Sequence, residues 1–214
     1  MQTQSPSLIE RLVNVPVIPV LEFSSVDEAL HVSEALIGGG LPVLEITLRT
    51  PVALDAIKAV AAAFPQACVG AGTVLTAADL KAVSEAGAQF AVSPGLTPAL
   101  AVAAQGAGVA LLPGVATASE AMAAMEAGFK FLKFFPAEAS GGVPMLKSLY
   151  GPFAQLRFCP TGGIDLARAP TYLALPNVVC VGGSWVVPKD AVAKGDWARV
   201  RTLAQEAAAL RKSA

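Results

Sequence analysis

The sequence has few charged side chains, and their signs are balanced. Asp, Glu, Lys and Arg make up 14% of the 214 residues, with 15 basic groups against 16 acidic ones, whereas about 25% is usual. A surface that binds nucleic acid or an anionic membrane needs an excess of basic groups, so the composition argues against both partners. Hydrophobic residues make up 54% of the chain. That fraction excludes a disordered protein, because so much apolar surface must be buried from water.

Histidine and cysteine are also scarce. The single histidine, His31, is too little for a histidine-based catalytic zinc site, and its polar neighbours predict a surface position on a helix. The three cysteines, Cys68, Cys159 and Cys180, lie far apart in apolar runs. We interpret them as reduced thiols in the core of a cytoplasmic protein rather than as a disulfide framework.

Long uninterrupted apolar runs are missing as well. Glycine and proline break each run after a few residues, so none approaches the roughly 20 residues of a membrane helix. The first twelve residues, MQTQSPSLIERL, lack the basic start and the apolar run of a secretory signal. These features predict a cytoplasmic protein with no membrane partner.

Eight short apolar runs alternate with helical segments of about 10–14 residues. Each run is almost continuously apolar and ends at glycine or proline, which is typical of buried parallel strands. The predicted strands span residues 15–23, 41–48, 67–74, 89–95, 108–116, 129–137, 157–163 and 178–184. The predicted helices span residues 26–37, 51–63, 77–86, 97–105, 118–127, 142–150, 165–174 and 189–210, with Ser25, Thr50 and Thr76 as N-terminal caps.

This order of elements predicts a (β/α)8 (TIM) barrel, for which about 200 residues is the short end of the size range. The segment Ser5–Leu12 is expected to form an extra N-terminal helix under the barrel. The alternative is an open, doubly wound sheet, but no glycine-rich dinucleotide fingerprint follows the first strand. No linker or low-complexity segment divides the chain, so we expect a single domain over residues 1–214.

Two charged side chains are predicted to point into the barrel, near the C-terminal strand ends where barrel enzymes bind substrate. Glu45 shares a strand face with Val43 and Thr47, because side chains alternate along a strand. Lys133 lies among phenylalanines near the end of the sixth strand. Burial disfavours the charged form of an amine, and a neutral amine attacks carbonyl groups. Glu45 is then a candidate acid/base; the alternative, a structural ion pair with Lys133, is compatible with catalysis.

Other polar groups mark the same rim. Arg49, at the exit of the second strand, has a guanidinium that can bind a carboxylate or a phosphate. Thr73 and Thr161 place hydroxyls at two further strand ends. Glycines after the last two strands, Gly162–Gly163 and Gly182–Gly183–Ser184, leave backbone N–H groups open to an anion and predict a phosphate site. With no metal site or nucleotide fingerprint, this set indicates cofactor-free Schiff-base chemistry on a phosphorylated keto acid.

Six segments carry a close resemblance to a known family. VLEITLRT, VGAGTVL, AVSPGLT, LKFFPAE, RFCPTGGI and VGGSW resemble the blocks of 2-keto-3-deoxy-6-phosphogluconate aldolases, the class I pyruvate aldolases of the Entner–Doudoroff pathway. The resemblance covers essentially the whole chain. It implies a lyase that releases pyruvate and glyceraldehyde 3-phosphate, and a cytoplasmic homotrimer.

The resemblance also implies a role for each matching residue. Lys133 would form the imine, and Glu45 would be the acid/base. Arg49 and Thr73 would hold the carboxylate and keto end of pyruvate. The remaining matches would line the substrate pocket (Pro94, Phe135 and Thr161) and the phosphate end (Gly162, Gly163, Gly183 and Ser184).

Three other functions remain as alternatives. The same chemistry can act on the 4-epimeric phosphogalactonate or on 4-hydroxy-2-oxoglutarate, which shares the pyruvate end. A phosphosugar isomerase or epimerase would use the glycine cradle and a carboxylate base, without a nucleophilic Lys133. A barrel that only binds a phosphorylated metabolite has little reason to bury an amine among phenylalanines.

Overall fold

The computed structural model describes Leu12 and residues 14–210. The strands are β1 (Val17–Leu21), β2 (Val43–Thr47), β3 (Cys68–Gly72), β4 (Phe90–Val92), β5 (Ala110–Leu112), β6 (Gly114–Val115), β7 (Phe131–Phe134), β8 (Arg157–Pro160) and β9 (Val181–Gly183). The helices are α1 (Val26–Gly38), α2 (Ala53–Ala63), α3 (Ala77–Glu85), α4 (Pro98–Gly106), α5 (Ala118–Glu126), α6 (Gly142–Tyr150), α7 (Ala169–Leu173), α8 (Lys189–Ala193) and α9 (Trp197–Ala208). The predicted N-terminal helix Ser5–Leu12 lies outside the described residues, apart from Leu12.

The strands form an α/β fold with parallel pairing. Six of them make a sheet in the order β5-β4-β3-β2-β1-β9, and three make a second sheet in the order β6-β7-β8. Two isolated parallel bridges, Phe158–Val178 and Thr161–Gly182, join β8 to the segment around β9. From β1 to β5 the spatial order follows the chain order, whereas a doubly wound sheet reverses its order at a switch point. The alternation of strands and helices is thus as predicted, and the strand order differs from the doubly wound alternative.

The predicted strand over residues 108–116 is interrupted at Pro113. Proline has no N–H to donate to a neighbouring strand. The strand before Pro113, β5, pairs with β4, and the strand after it, β6, pairs with β7. The chain nevertheless continues in register, because the carbonyl of Pro113 accepts a hydrogen bond from Lys133 N at 2.8 Å. This bond holds the backbone of Lys133 beside the interruption.

Two of the three predicted helix caps are confirmed. The side chains of Ser25 and Thr76 each accept a hydrogen bond from the first turn of their helix. Thr50 was expected to cap a helix beginning at residue 51, and this prediction is wrong. The carbonyl of Thr50 instead closes a turn with Ala53 N at 3.2 Å. Helix α2 therefore begins two residues later, with Val52 at its N-cap and no side-chain cap bond.

The last two predicted helices are shorter than expected. The segment 189–210 is divided into α8 and α9, because Gly195 adopts φ +65° and Asp196 begins a new helix by accepting a bond from Arg199 N. The segment 165–174 is reduced to α7, because Asp165 Oδ1 accepts from Arg168 N at 2.9 Å and forms a turn there.

Two apolar clusters form the core. The larger one packs helix side chains against one face of the strands. The smaller one gathers side chains from the other face of both sheets, among them Ile18, Val43, Cys68, Phe90, Leu112, Phe131, Cys159 and Cys180. The three cysteines are buried and form no disulfide with one another, as predicted.

The smaller cluster positions the charged pair. Side chains two residues apart on a strand share a face, so Glu45 lies on the face of Val43 and Lys133 on that of Phe131. Both charged residues are therefore one step closer to the C-terminal strand ends than the apolar layer. Fully burying each large apolar side chain stabilises the fold by about 1.5–3 kcal/mol. This packed apolar layer therefore fixes the strands that carry Glu45 and Lys133.

One further prediction concerns the surface. The side chain of His31 is 45% exposed, as its helix pattern predicts, and its ring stacks on Trp197 with 5.4 Å between centroids. Within the described residues, no helix combines the length and the apolar character that crossing a bilayer requires.

Candidate active site

The centre of the site is a buried ion pair between β2 and β7. Lys133 Nζ donates a hydrogen bond to Glu45 Oε1 at 3.3 Å, and the two residues are only 4% and 3% exposed. Removing two charges from water costs more free energy than burying an apolar pair of similar volume. A pair kept in such a place is a candidate for chemistry rather than for stability.

The surroundings of the pair are apolar and tightly packed. The ring of Phe135 lies beside the amine, with its centroid 5.0 Å from Lys133 Nζ. Gly72 lies against the carboxylate, since a Cβ at that position would be 2.3 Å from Glu45 Oε1. The glycine therefore leaves the space that the Glu45 carboxylate occupies.

A second polar pair lies at the ends of β2 and β3. Arg49 Nε donates to Thr73 Oγ1 at 3.2 Å, and Arg49 Nη1 lies 3.8 Å from Glu22 Oε2. Thr73 has φ +61°, a left-handed conformation that is unfavourable for a β-branched residue. Such strain costs about 1–3 kcal/mol and is concentrated at functional sites. The fold thus fixes a hydroxyl beside a half-exposed guanidinium.

A cavity of about 770 Å³ opens at the C-terminal ends of the strands. This volume is within the range of pockets that bind small molecules. Seven of the residues predicted for the site line it: Arg49, Phe135, Thr161, Gly162, Gly163, Gly183 and Ser184.

Four predicted residues do not line this cavity. Lys133 and Glu45 are connected to it through the Phe135 ring, and Thr73 through Arg49. Pro94 is connected to Lys133 through β6. Its carbonyl packs against Gly114, where an added Cβ would lie 2.2 Å from the oxygen, and Gly114 is the register partner of Lys133. Pro94 therefore supports β6 from outside the cavity.

Thr161 offers an unused hydroxyl to the cavity. Its Oγ1 is buried and has no hydrogen-bond partner among the described residues. A buried polar group in that state costs about 1–3 kcal/mol. A bound ligand that accepts or donates here would recover this free energy.

The glycine loops have the properties of an anion site. Gly162 and Gly163 adopt φ +108° and +77° in succession, which few other residues could do at low cost. Within Leu12 and residues 14–210, the backbone N–H groups of Gly162, Gly163 and Ser184 donate to no other backbone group. Open N–H groups at the edge of a cavity are suited to phosphate oxygens.

The sequence interpretation missed several polar residues of the cavity wall. Lys189, at the start of α8, lines the cavity. Glu22 and Glu28 bring two carboxylates to the wall. Glu22 could have been found from its place directly after β1, whereas Lys189 follows an irregular loop and has no comparable signal.

In the described part of the chain, no three side chains of His, Cys, Asp or Glu come together as a metal site would require. The titratable side chains of the site are Lys133, Glu45 and Arg49, together with Glu22, Glu28 and Lys189 on the cavity wall.

Comparisons with known proteins agree on one family. The family model for KDPG and KHG aldolases matches residues 8–203. The KHG/KDPG aldolase of Escherichia coli is 54% identical over 192 residues, which cover 90% of this chain and 90% of that protein.

Solved structures show the same similarity. A KDPG aldolase from Legionella pneumophila, with pyruvate captured at low pH as a covalent carbinolamine intermediate, has a TM-score of 0.92 and 45% identity, covering 96% of this chain and 99% of that one. The 2-keto-3-deoxy-6-phosphogluconate aldolase of Zymomonas mobilis with 3-phosphoglycerate has a TM-score of 0.91 and 50% identity, covering 96% and 97%. The chain therefore belongs to the KDPG and KHG aldolase family.

Proposed function

We propose that this protein is a class I aldolase that cleaves 2-keto-3-deoxy-6-phosphogluconate into pyruvate and glyceraldehyde 3-phosphate. The observation that carries the proposal is the buried 3.3 Å contact between Lys133 Nζ and Glu45 Oε1, beside a cavity with a glycine-lined end. The Legionella relative holds pyruvate as a covalent carbinolamine, which is the first adduct that such an amine forms with a ketone.

The first step makes an imine on Lys133. Transfer of one proton from the ammonium to Glu45, across their 3.3 Å contact, leaves a neutral amine. The amine adds to the C2 keto carbon and gives a carbinolamine. Glu45 returns its proton to the carbinolamine hydroxyl, which leaves as water, so that a protonated imine and the Glu45 carboxylate remain. The positive nitrogen is then an electron sink for the C3–C4 bond.

The second step breaks the carbon–carbon bond. The Glu45 carboxylate removes the proton from the C4 hydroxyl, directly or through one water. The C4 oxygen forms a carbonyl as the electrons of the C3–C4 bond move into the imine. Glyceraldehyde 3-phosphate leaves, and the enamine of pyruvate remains on Lys133.

The last step returns the proton. Glu45 protonates C3 of the enamine, and water hydrolyses the resulting imine to release pyruvate and the free amine. One carboxylate serves as base and then as acid because the proton that it takes is the one that it gives back. Such proton transfer typically contributes about 10²–10⁴-fold to the rate.

The two ends of the substrate have separate binding groups in this proposal. Arg49 and Thr73 hold the carboxylate and keto end, supported by their mutual hydrogen bond. The open N–H groups of Gly162, Gly163 and Ser184 hold the phosphate, with Gly183 giving close backbone approach. Thr161, Phe135 and Pro94 shape the pocket between the ends, Pro94 from behind β6.

We also propose that both sheets belong to one closed (β/α)8 barrel within a single domain spanning the chain, with the N-terminal helix below it. The bridge between Thr161 and Gly182 and a shared interior cluster support closure, with β5 and β6 as halves of one strand. Exposed apolar side chains, among them Leu75 at 54% and Val102 at 69%, support self-association, and the number of subunits that we propose, three, is the one that the family resemblance implies. Buried cysteines that form no disulfide are consistent with a cytoplasmic location.

A second activity on 4-hydroxy-2-oxoglutarate is part of the proposal. The Escherichia coli relative is named as a KHG/KDPG aldolase, and the pyruvate end of the two substrates is the same. The substrate without a phosphate would not use the glycine loops, so its KM is expected to be higher.

The proposal is tested by measuring pyruvate release from three substrates: 2-keto-3-deoxy-6-phosphogluconate, its C4 epimer and 4-hydroxy-2-oxoglutarate. We expect the highest kcat/KM on the first. A higher value on the epimer would reassign the substrate. Interconversion of phosphosugars without pyruvate release would favour an isomerase, and binding without turnover would favour a metabolite-binding protein.

A further inference from the structure

Glu138 connects the loop after β7 to the glycine loop after β8. Its backbone N–H donates to Gly162 O at 3.1 Å, and the N–H of Ala137 donates to Thr161 O at 2.8 Å. Its side chain packs on the next residue, since a Cβ on Gly163 would lie 2.7 Å from Glu138 Cγ. Glu138 thus contacts both glycines of the proposed phosphate loop.

The carboxylate of Glu138 is held from the other side by α7. The hydroxyl of Tyr172 donates to Glu138 Oε1, and Arg168 Nε lies 3.4 Å from Glu138 Oε2. Arg168 is in turn held by Asp165 Oδ2 at 2.6 Å. Three elements therefore meet at one side chain.

The bond from Tyr172 is the stronger of the two contacts. The Tyr172 residue is 1% exposed, whereas the Arg168 side chain is 53% exposed and that of Glu138 40%, and exposed ion pairs contribute little free energy. Burial, followed by the hydrogen bond and charge of Glu138, raises the pKa of the Tyr172 hydroxyl. The hydroxyl therefore remains a donor at neutral pH and above.

The side chains of Glu138, Tyr172 and Arg168 do not line the cavity, so none of them is placed to touch the substrate. Through Glu138, their contacts end instead on Gly162 and Gly163, which both adopt positive φ angles. Glycine has many accessible backbone conformations, so the surrounding contacts select this one. A hydrogen bond to a charged group is stronger than one between neutral groups, so the bond from Tyr172 favours this loop conformation.

We propose that Glu138 and Tyr172 are positioning residues that hold the Gly162–Gly163 loop in the conformation that binds the substrate phosphate. This inference rests on the proposed function, which assigns the phosphate to that loop. It goes beyond it by placing part of the phosphate affinity in residues that do not touch the ligand.

The test compares Tyr172→Phe and Glu138→Ala with two matched variants. Glu138→Gln retains an oxygen that accepts from Tyr172 and is expected to keep most of the wild-type behaviour. Tyr150→Phe removes the same hydroxyl from the exposed tyrosine at the end of α6. Circular dichroism and thermal unfolding establish that each variant is folded.

Two readouts separate a positioning role from a general loss of structure. The first is the KM for 2-keto-3-deoxy-6-phosphogluconate, which should rise about tenfold in Tyr172→Phe and Glu138→Ala, equivalent to about 1.4 kcal/mol, with kcat within twofold of wild type. The second is the pyruvate concentration that half-saturates borohydride trapping, which should not change because pyruvate has no phosphate. An equal rise in the KM and in the half-saturating pyruvate concentration, or no change in the KM, would overturn the inference.

Failure of the inference is distinguishable from failure of the proposed function. Binding of inorganic phosphate, measured by calorimetry, does not depend on turnover. If wild type and Tyr172→Phe bind phosphate equally, the positioning role is wrong even if the enzyme is an aldolase. If wild type binds phosphate about tenfold more tightly than the variant but releases no pyruvate, the positioning role stands and the substrate assignment fails.

Discussion

Gly72→Ala tests the geometry of the Lys133–Glu45 pair without substituting either of the two proposed catalytic residues. The added Cβ would lie 2.3 Å from Glu45 Oε1 and 2.9 Å from its Cγ, whereas carbon and oxygen atoms in contact are normally about 3.5 Å apart. The carboxylate must therefore move by about 1 Å. Its 3.3 Å contact with Lys133 Nζ cannot survive that shift unless the lysine follows.

The magnitude follows from the sensitivity of catalysis to position. A misplacement of about 1 Å costs roughly 10²-fold in rate, so we expect kcat for pyruvate release to fall by about 10²-fold in Gly72→Ala. The KM should change little, because the groups proposed to bind the substrate ends are not displaced.

Gly70→Ala is the matched control. Gly70 lies on the same strand and face, two residues earlier, and an added Cβ would be 2.3 Å from the Phe90 ring instead. This variant should lose stability by about 1–3 kcal/mol, as overpacked cores do, and keep its kcat per folded molecule. Wild-type kcat in Gly72→Ala, or an equal loss of kcat in both variants, would refute the reasoning.

Two further predictions concern charges. Lys189→Gln removes a cation from the cavity wall and should raise the KM for the phosphorylated substrate several-fold, which is equivalent to about 1 kcal/mol. Lys194→Gln, at a residue outside the wall, should leave this KM unchanged. Equal effects of the two substitutions would remove Lys189 from the site. The bond from the N–H of Ala116 lowers the pKa of Glu120 at the start of α5, so its contribution to stability is present above the carboxyl's ordinary pKa and is lost as the pH falls through the lowered one. Urea unfolding measured between pH 7 and pH 3 should show that the free energy of unfolding falls less on acidification in Glu120→Gln than in wild type. An equal fall in the two proteins would contradict this.

The sequence contained enough to predict the α/β alternation and the charged pair. Burial and the two-residue period of strands place Glu45 and Lys133 on one inner face, although they are 88 residues apart in the chain. The family and the aldolase class, predicted from six sequence blocks, are confirmed by the family model and the named relatives.

Other features depend on contacts that no local pattern specifies. The interruption at Pro113 and the break at Gly195 each had a residue-level signal, but the predicted segments ran through them. The contact between Tyr172 and Glu138 spans 34 residues and joins a loop to a short helix. Neither the periodicity of an amphipathic helix nor the alternation of side chains along a strand specifies such a pair. These patterns do not specify the place of Lys189 on the cavity wall either.

The central claim is that Lys133 forms an imine with pyruvate, and trapping tests it most directly. The protein is incubated with pyruvate and borohydride, which reduces an imine to a stable amine, and the modified peptide is located by mass spectrometry. We expect one pyruvate-derived adduct on Lys133, absent in Lys133→Arg and retained in Lys130→Gln, which changes an exposed lysine of the same segment. An adduct on another lysine, or none on folded protein, would contradict the account.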